Sequence, residues 1–133
     1  MSRLKNNTVK GNRSQAEQIV VDLLRLNFKK LVILTNDKTA IGKELDIFLP
    51  TLKIGIEIDG IFHQQPIFGA DKLKQIQAND LKKSKKCELL GITLYRITLP
   101  NDSRNYYTFL KEEVTNRLAV TIKNAINLDS SNL

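Results

Sequence analysis

Two short segments in the middle of the chain alternate between apolar and polar residues with a period of two. They read ELDIFLP (44–50) and KIGIEIDG (53–60), and this alternation predicts two β-strands that each have one apolar face. We expect them to form a hairpin that turns near Pro50 and Thr51. The predicted apolar face holds Leu45, Ile47, Leu49, Ile54, Ile56 and Ile58, and the opposite face holds Glu44, Asp46, Phe48, Lys53, Gly55, Glu57 and Asp59.

The pairing of these two strands decides which polar side chains become neighbours. Residues that pair directly across an antiparallel ladder point to the same side of the sheet. If the two apolar faces join one core, Asp46 therefore lies opposite Gly55 or Glu57. Either register brings Asp46, Glu57 and Asp59 close together on one face.

Helical periodicity and short apolar runs predict the remaining elements. A helix begins after Ser14, where Ser14 and Glu17 form a capping box. The other predicted elements are a short buried strand at 31–35, a helix from about Asp71 to Leu90 ended by Gly91, a strand at 92–97 and an amphipathic helix from roughly Tyr106 to Ile126. The order helix, three strands, helix, strand, helix predicts an α/β sandwich built on a mixed sheet.

Composition predicts the class of partner that the protein binds and the cellular compartment in which it is found. The 133 residues fit one domain, at 14–127, between a basic arm at 1–13 and a polar tail at 128–133. The formal net charge of +7 and the pI of about 9.6 favour a polyanionic partner, most often nucleic acid. The arm is expected either to contact phosphates or to be a solvated tail, and its basic residues are Arg3, Lys5, Lys10 and Arg13. One cysteine and the lack of a visible secretory or membrane-spanning segment predict a cytoplasmic protein.

The clustered carboxylates of the hairpin predict a metal site. Like charges a few ångströms apart repel each other, and at least one pKa rises unless a cation lies between them. Mg²⁺ prefers hard oxygen ligands and is usually held by one or two carboxylates together with waters and substrate phosphates. Such an ion beside a basic surface is typical of phosphodiester cleavage. The alternative is that Glu57 and Asp59 lie on a solvent-facing surface and pair with lysines.

Asp80 and His63 extend the candidate site. Asp80 shares one face of the predicted second helix with apolar residues, so it is expected to point inward. There it would be a metal ligand, a group that orients a ligand, or the ion-pair partner of Arg96 or Lys43. His63 is the only histidine and follows the second hairpin strand, and its ordinary pKa suits proton transfer near neutrality.

Glu17 and the lysines of the second helix can each be interpreted in two ways. The capping box is a sufficient structural explanation for Glu17, although a carboxylate in a first helical turn can also face the strand cluster. The lysines are spread over more than one helical face, so some are solvated. Lys72 and Lys74 are the ones expected to contact phosphates.

The segment GKELDIFLPTLKIGIEIDGIFH, followed by Asp80 and GITLYRI, resembles the PD-(D/E)XK nuclease superfamily. It looks most like the branch of very-short-patch repair (Vsr-like) and phage homing endonucleases, whose site is a series of Glu, Asp, any residue, His and Asp. The matching positions are Glu17, Asp46, Ile58, either Asp59 or His63, and Asp80. The resemblance covers about residues 10–97. It departs from the family where Asp59 replaces the usual lysine, where Leu45 replaces a proline, and in lacking a cysteine–histidine zinc cluster.

The resemblance implies a restriction-endonuclease-like three-layer sandwich, with a mixed sheet of about four strands flanked by helices. It also implies a Mg²⁺-dependent DNA endonuclease or nickase in which Mn²⁺ substitutes for Mg²⁺. Asp46, with Glu57 or the carbonyl of Ile58, would hold the metal. His63 would act as general base or position water, while Glu17 and Asp80 would orient water or neighbouring ligands.

Several functional classes stay open at this point. Mobile-element members of this branch join the nuclease core to a separate DNA-recognition module, and no such module is recognised here. The chain would then be a free-standing nuclease, a subunit that needs a DNA-recognition partner, or a homodimeric junction-cleaving enzyme, in a bacterial or phage-infected cell. The alternatives are a catalytically inactive, nuclease-derived DNA-binding or structural protein and an RNA-directed nuclease.

Overall fold

A four-stranded mixed sheet with helices packed against it forms the described part of the chain. The computed structural model describes residues 14–60, 65–100 and 106–131. In chain order the elements are α1 (Gln15–Asn27), β1 (Leu34–Asp37), β2 (Leu45–Leu49), β3 (Ile54–Asp59), α2 (Ala70–Leu89), β4 (Thr93–Thr98), α3 (Tyr106–Glu112), a π-helical segment (Glu113–Leu118) and α4 (Ala119–Ser131). The strand order is β1-β2-β3-β4, with antiparallel pairs up to β3 and a parallel β3–β4 pair. The predicted α/β class, mixed sheet and order of elements are confirmed.

Helix α1 begins where the sequence predicts. The backbone N–H of Glu17 donates to Ser14 Oγ at 3.1 Å, so one of the free amides of the first turn is satisfied. The helix buries one apolar stripe. That stripe packs with the apolar face of the hairpin and with the C-terminal helices in the main core, which contains Val20, Leu24, Ile47, Ile56, Leu110 and Leu118.

The hairpin forms in one of the two predicted registers. Ile47 pairs with Ile56, Phe48 with Gly55 and Leu49 with Ile54, so continuation of the ladder places Asp46 opposite Glu57. Leu45 is predicted to lie on the same face of the strand as Ile47. This prediction is wrong, because Leu45 belongs to a second apolar cluster with Ile41, Phe48, Cys87 and Ile92. Gly55 makes room for it, since a Cβ there would lie 3.3 Å from Leu45 Cδ1.

The first strand differs from its prediction in both extent and burial. The sequence predicts a buried strand at 31–35, whereas β1 is Leu34–Asp37 at the edge of the sheet. Leu31 and Ile33 pack on the main core before the ladder begins. Leu34 is exposed at the start of β1, which has a neighbouring strand on one side only, and Val32, which precedes the strand, is exposed too.

Helix α2 ends at a glycine, as predicted. Gly91 has φ +72°, and its N–H donates to the Glu88 carbonyl while that of Ile92 donates to the Cys87 carbonyl at 2.8 Å. This is a Schellman motif, which requires a left-handed residue after the helix. The turn sends the chain directly into β4. Only Cys87 of α2 is fully buried, so most of the helix presents its surface to solvent.

The C-terminal helical run is longer and less regular than predicted. It starts at Tyr106, as expected, but contains a π-helical segment and continues past Ile126 to Ser131. The first part of the predicted polar tail at 128–133 is therefore helical, because α4 contains neither glycine nor proline to end it. The predicted basic arm at 1–13 lies outside the described residues. Within the described ranges, none of the helices combines the length and apolar character that crossing a membrane requires.

Candidate functional site

Asp46 and Glu57 meet where the regular β2–β3 ladder ends. The N–H of Asp46 donates to Glu57 Oε2 at 2.8 Å, and the N–H of Ile58 donates to Asp46 Oδ2 at 2.9 Å. The two carboxylates thus take the place of backbone carbonyls as acceptors between the strands. The backbone of each strand thus holds the acid of the opposite strand, so both acids are positioned by the sheet and not by a loop.

The environment of Asp46 opposes its negative charge. Burial raises the pKa of the Asp46 carboxyl from 3.8 to about 7, and the neighbouring charges of Glu57 and Glu17 act in the same direction. The Ile58 N–H and the Lys83 ammonium oppose this rise without cancelling it. Asp46 therefore changes its protonation state close to neutral pH when no cation is bound.

Lys83 of α2 is the cation that reaches this pair of acids. Its Nζ lies 2.5 Å from Glu57 Oε1, and its side chain is 21% exposed whereas that of Glu57 is 5% exposed. Glu57 consequently has both oxygens engaged, one by Lys83 and one by the Asp46 amide. The alternative in which Glu57 sits on a solvent-facing surface is wrong, although its pairing with a lysine is confirmed.

Glu17 faces the same cluster from the first turn of α1. Burial raises the pKa of Glu17, and the Asn36 and Ser14 side chains oppose that rise while the charges of Glu44 and Glu57 add to it. Its Oε1 atom is buried and accepts no hydrogen bond from the described residues. Capping is therefore the role of its backbone amide, while its carboxyl group contributes a third negative charge near Asp46.

Asp59 and Asp80 are brought together by a different cation, Arg96. Arg96 Nη1 lies 3.2 Å from Asp59 Oδ2 and 3.6 Å from Asp80 Oδ1, and Nη2 donates to the Asp80 carbonyl at 3.0 Å. Asp59 is 5% exposed, so the solvent-facing alternative is wrong for this residue too. The predicted pairing of Asp80 with Arg96 is confirmed. Arg96 thereby ties α2 to β3 and β4.

The remaining predicted residues divide into those that the structure places and those that it does not describe. Ile58 contributes its amide to Asp46. Lys72 and Lys74 are exposed in the first half of α2. His63 and the basic residues of the arm, Arg3, Lys5, Lys10 and Arg13, lie outside the described residues.

Sequence reasoning missed the contact of Lys83 with Glu57 and that of Arg96 with Asp59. Lys83 lies 26 residues from Glu57 along the chain, and Arg96 lies 37 residues from Asp59. The available signal was the spacing on α2, because Lys83 follows Asp80 by three residues and so shares its helical face.

A cleft of about 380 Å³ borders Lys83 on α2. Its lining residues are Lys43, Glu44, Ile76, Asn79, Asp80 and Lys83. Both charge signs therefore line it, and one of its lining residues, Lys83, is paired with Glu57.

The donor set fits a hard divalent cation with few protein ligands. Across residues 14–60, 65–100 and 106–131 there is no group of three or more histidine, cysteine, aspartate or glutamate side chains arranged to hold a metal ion. Two carboxylates are enough for Mg²⁺, which keeps several waters and takes further oxygens from a substrate phosphate. Burial and the neighbouring acids raise the pKa of Asp46, and a divalent cation bound there would oppose that rise.

The chain was compared with models of protein families, with curated proteins and with solved structures. None of the three comparisons finds a match. The functional argument therefore rests on the geometry and charge of the site.

Proposed function

We propose that this protein is a metal-dependent DNA endonuclease that hydrolyses phosphodiester bonds, with Mg²⁺ as its cation and Mn²⁺ as a substitute. The observation that carries the proposal is the facing Asp46–Glu57 pair, in which burial and like charge raise the pKa of Asp46 to about 7. A partly buried acid that has a strongly perturbed pKa and faces a second acid is characteristic of chemical sites.

The fold supports the proposal at a coarser level. An antiparallel hairpin that carries the acids, a helix, and a parallel strand beside the hairpin follow the order implied by the resemblance to PD-(D/E)XK nucleases. Apolar clusters on both faces of the sheet are consistent with the three-layer, restriction-endonuclease-like arrangement within this class. The resemblance of the hairpin segment to very-short-patch repair and phage homing endonucleases points to DNA as the substrate.

The role proposed for each residue follows from its position. Asp46, Glu57 and the Ile58 carbonyl would hold the cation, which when bound supplies an activated water and neutralises charge on the phosphate. Glu17 lies near enough to Asp46 to orient a water by hydrogen bonding. Arg96 fixes Asp59 and Asp80 and so keeps α2 in place. Lys72 and Lys74 offer exposed ammonium groups to the phosphate backbone.

The test is the nicking of supercoiled plasmid by the purified chain in the presence of Mg²⁺, Mn²⁺ or EDTA. We expect nicked or linear product with either cation and none with EDTA. The isosteric variant Asp46→Asn should lose at least about 100-fold of the rate while its circular dichroism spectrum stays that of the wild type. Full activity of Asp46→Asn would contradict the proposal, as would an inactive wild type.

A second candidate is a nuclease-derived DNA-binding or structural protein without turnover. It is favoured by one observation, namely that Glu57 already has both oxygens engaged by Lys83 and by the Asp46 amide. A wild type that binds plasmid in a gel-shift assay but never nicks it would select this candidate. Parallel assays on four-way junctions and on single-stranded RNA test the junction-directed and RNA-directed alternatives.

A further inference from the structure

Both carboxylate oxygens of Glu57 already have partners, so a cation bound there has to displace one of them. Its Oε2 accepts from the Asp46 amide and its Oε1 is paired with Lys83. A cation that uses Oε1 must therefore compete with Lys83 for the same oxygen. The residue that gives way is the lysine, because the amide of Asp46 is fixed in the backbone of β2.

Lys83 is built to leave Glu57 without disturbing the fold. Its backbone is secured one helical turn away, where Arg96 binds both the carboxylate and the carbonyl of Asp80. Its ammonium sits on a flexible four-carbon stem, which can turn while the helix stays in place. The side chain is already partly exposed and lines the cleft that Lys43 and Asp80 also line.

The strand itself does not provide this cation. The position of β3 where the resembled nucleases carry a lysine is occupied by Asp59, which is held by Arg96. Among the described residues, Lys83 is the one whose ammonium ion-pairs with the Asp46–Glu57 pair. Lys83 of α2 is therefore in a position to supply a positive charge for a bound phosphate.

We propose that Lys83 has two alternating partners: it neutralises Glu57 in the cation-free protein and contacts the substrate phosphate from the cleft once a divalent cation occupies Asp46 and Glu57. The inference rests on the proposed function for its second half only. Its first half concerns cation binding and holds for the protein without substrate.

Cation affinity tests the first half. Mn²⁺ is titrated into the wild type, Lys83→Met, Lys83→Arg and the control Lys85→Met, and free Mn²⁺ is followed by electron paramagnetic resonance. Lys83→Met should bind Mn²⁺ about tenfold more tightly than the wild type, since no ammonium competes for Glu57. Lys83→Arg should bind more weakly than the wild type, because a guanidinium holds a carboxylate through two parallel hydrogen bonds.

Lys85→Met removes the same charge two residues along α2 from an exposed position. It should change the Mn²⁺ affinity far less than Lys83→Met does. Equal affinities for Lys83→Met and Lys85→Met, or the reverse order for arginine, would overturn the first half. The arginine variant keeps the charge, so it remains informative if Lys83→Met does not fold.

Cleavage at saturating Mn²⁺ tests the second half. Lys83→Met should nick plasmid about 100-fold more slowly than the wild type even though its cation site is full. Wild-type rates in this variant would overturn the phosphate contact. An inactive wild type would overturn the proposed function and the phosphate contact together, whereas the Mn²⁺ titration would still decide the role of Lys83 at Glu57.

Discussion

Two buried acids of β3, Glu57 and Asp59, lie two residues apart and are compensated in opposite ways. Asp59 is held by the rigid guanidinium of Arg96, which also binds Asp80. Glu57 faces a second acid, Asp46, and is balanced by the single ammonium of Lys83. Both acids of the Arg96 cluster contact the guanidinium directly, whereas Asp46 accepts from the Ile58 amide, and burial together with the charge of Glu57 raises its pKa to about 7.

This contrast shows that burial of an acid does not by itself mark a chemical site. Both Glu57 and Asp59 are almost completely buried. What distinguishes them is the neighbouring acid: Asp80 shares the Arg96 guanidinium with Asp59, whereas Asp46, beside Glu57, has a raised pKa that a bound cation would oppose. We therefore propose a structural role for the Arg96 cluster and a chemical role for the Asp46–Glu57 pair.

The largest expected effect comes from removing the cation of the structural cluster. Arg96→Met removes the guanidinium that Asp59 and Asp80 share, and we expect the free energy of unfolding to fall by about 3 kcal/mol, measured by urea denaturation at pH 7. Arg117→Met is the control, since the Arg117–Glu113 pair is exposed at the arginine end and is worth less than about 0.5 kcal/mol. A loss for Arg96→Met no larger than that of the control would remove the distinction between the two groups of acids.

Removing charge from the Asp46–Glu57 pair should have the opposite sign. The pKa of Asp46 is raised in the folded protein, so its contribution to stability is greatest below about pH 4 and is lost as the pH rises towards 7. Asp46→Asn cannot ionise, and without metal it should be more stable than the wild type by about 2 kcal/mol at pH 8.

The same measurement at pH 5 should give a much smaller gain, because wild-type Asp46 is then largely protonated. Asp22→Asn, at an exposed position of α1, should show no such pH-dependent difference. A lower stability of Asp46→Asn at pH 8 would mean that the carboxylate is compensated as well as Asp59 is.

A smaller stabilisation should follow from adding Mg²⁺ to the wild type. At ten times its Kd, a cation that binds only the folded state adds about 1.4 kcal/mol, which a thermal melt records as a rise in Tm of several degrees. The rise should be larger at pH 8 than at pH 5, since the cation competes with the proton on Asp46. If Asp46→Asn gained the same Tm, the cation would be binding elsewhere.

The local parts of the fold could be predicted from the sequence because their causes are local. The capping serine of α1, the alternation of the hairpin and the glycine that ends α2 each act within a few residues. The edge position of β1 and the π-helical segment could not be predicted in this way. The first depends on which strands neighbour β1, and the second leaves no residue pattern that distinguishes it from an α-helix.

The candidate site was predictable to the same extent. Matching the two apolar faces limits the hairpin to two registers, and either one brings Asp46 close to Glu57. The partners of the acids depend on how α2 and β4 pack against β3, which the order of residues does not specify. Of these, Arg96 was anticipated as an alternative for Asp80, but its hold on Asp59 and the approach of Lys83 to Glu57 were not.

The exchange of acceptors between β2 and β3 gives the protein a built-in spectroscopic probe. The amide of Ile58 donates to a carboxylate oxygen of Asp46 instead of a carbonyl, so the resonance frequency of its proton follows the ionisation of that acid. A nitrogen–proton correlation spectrum of the nitrogen-15-labelled protein, recorded across neutral pH, would therefore display the state of the site from the backbone.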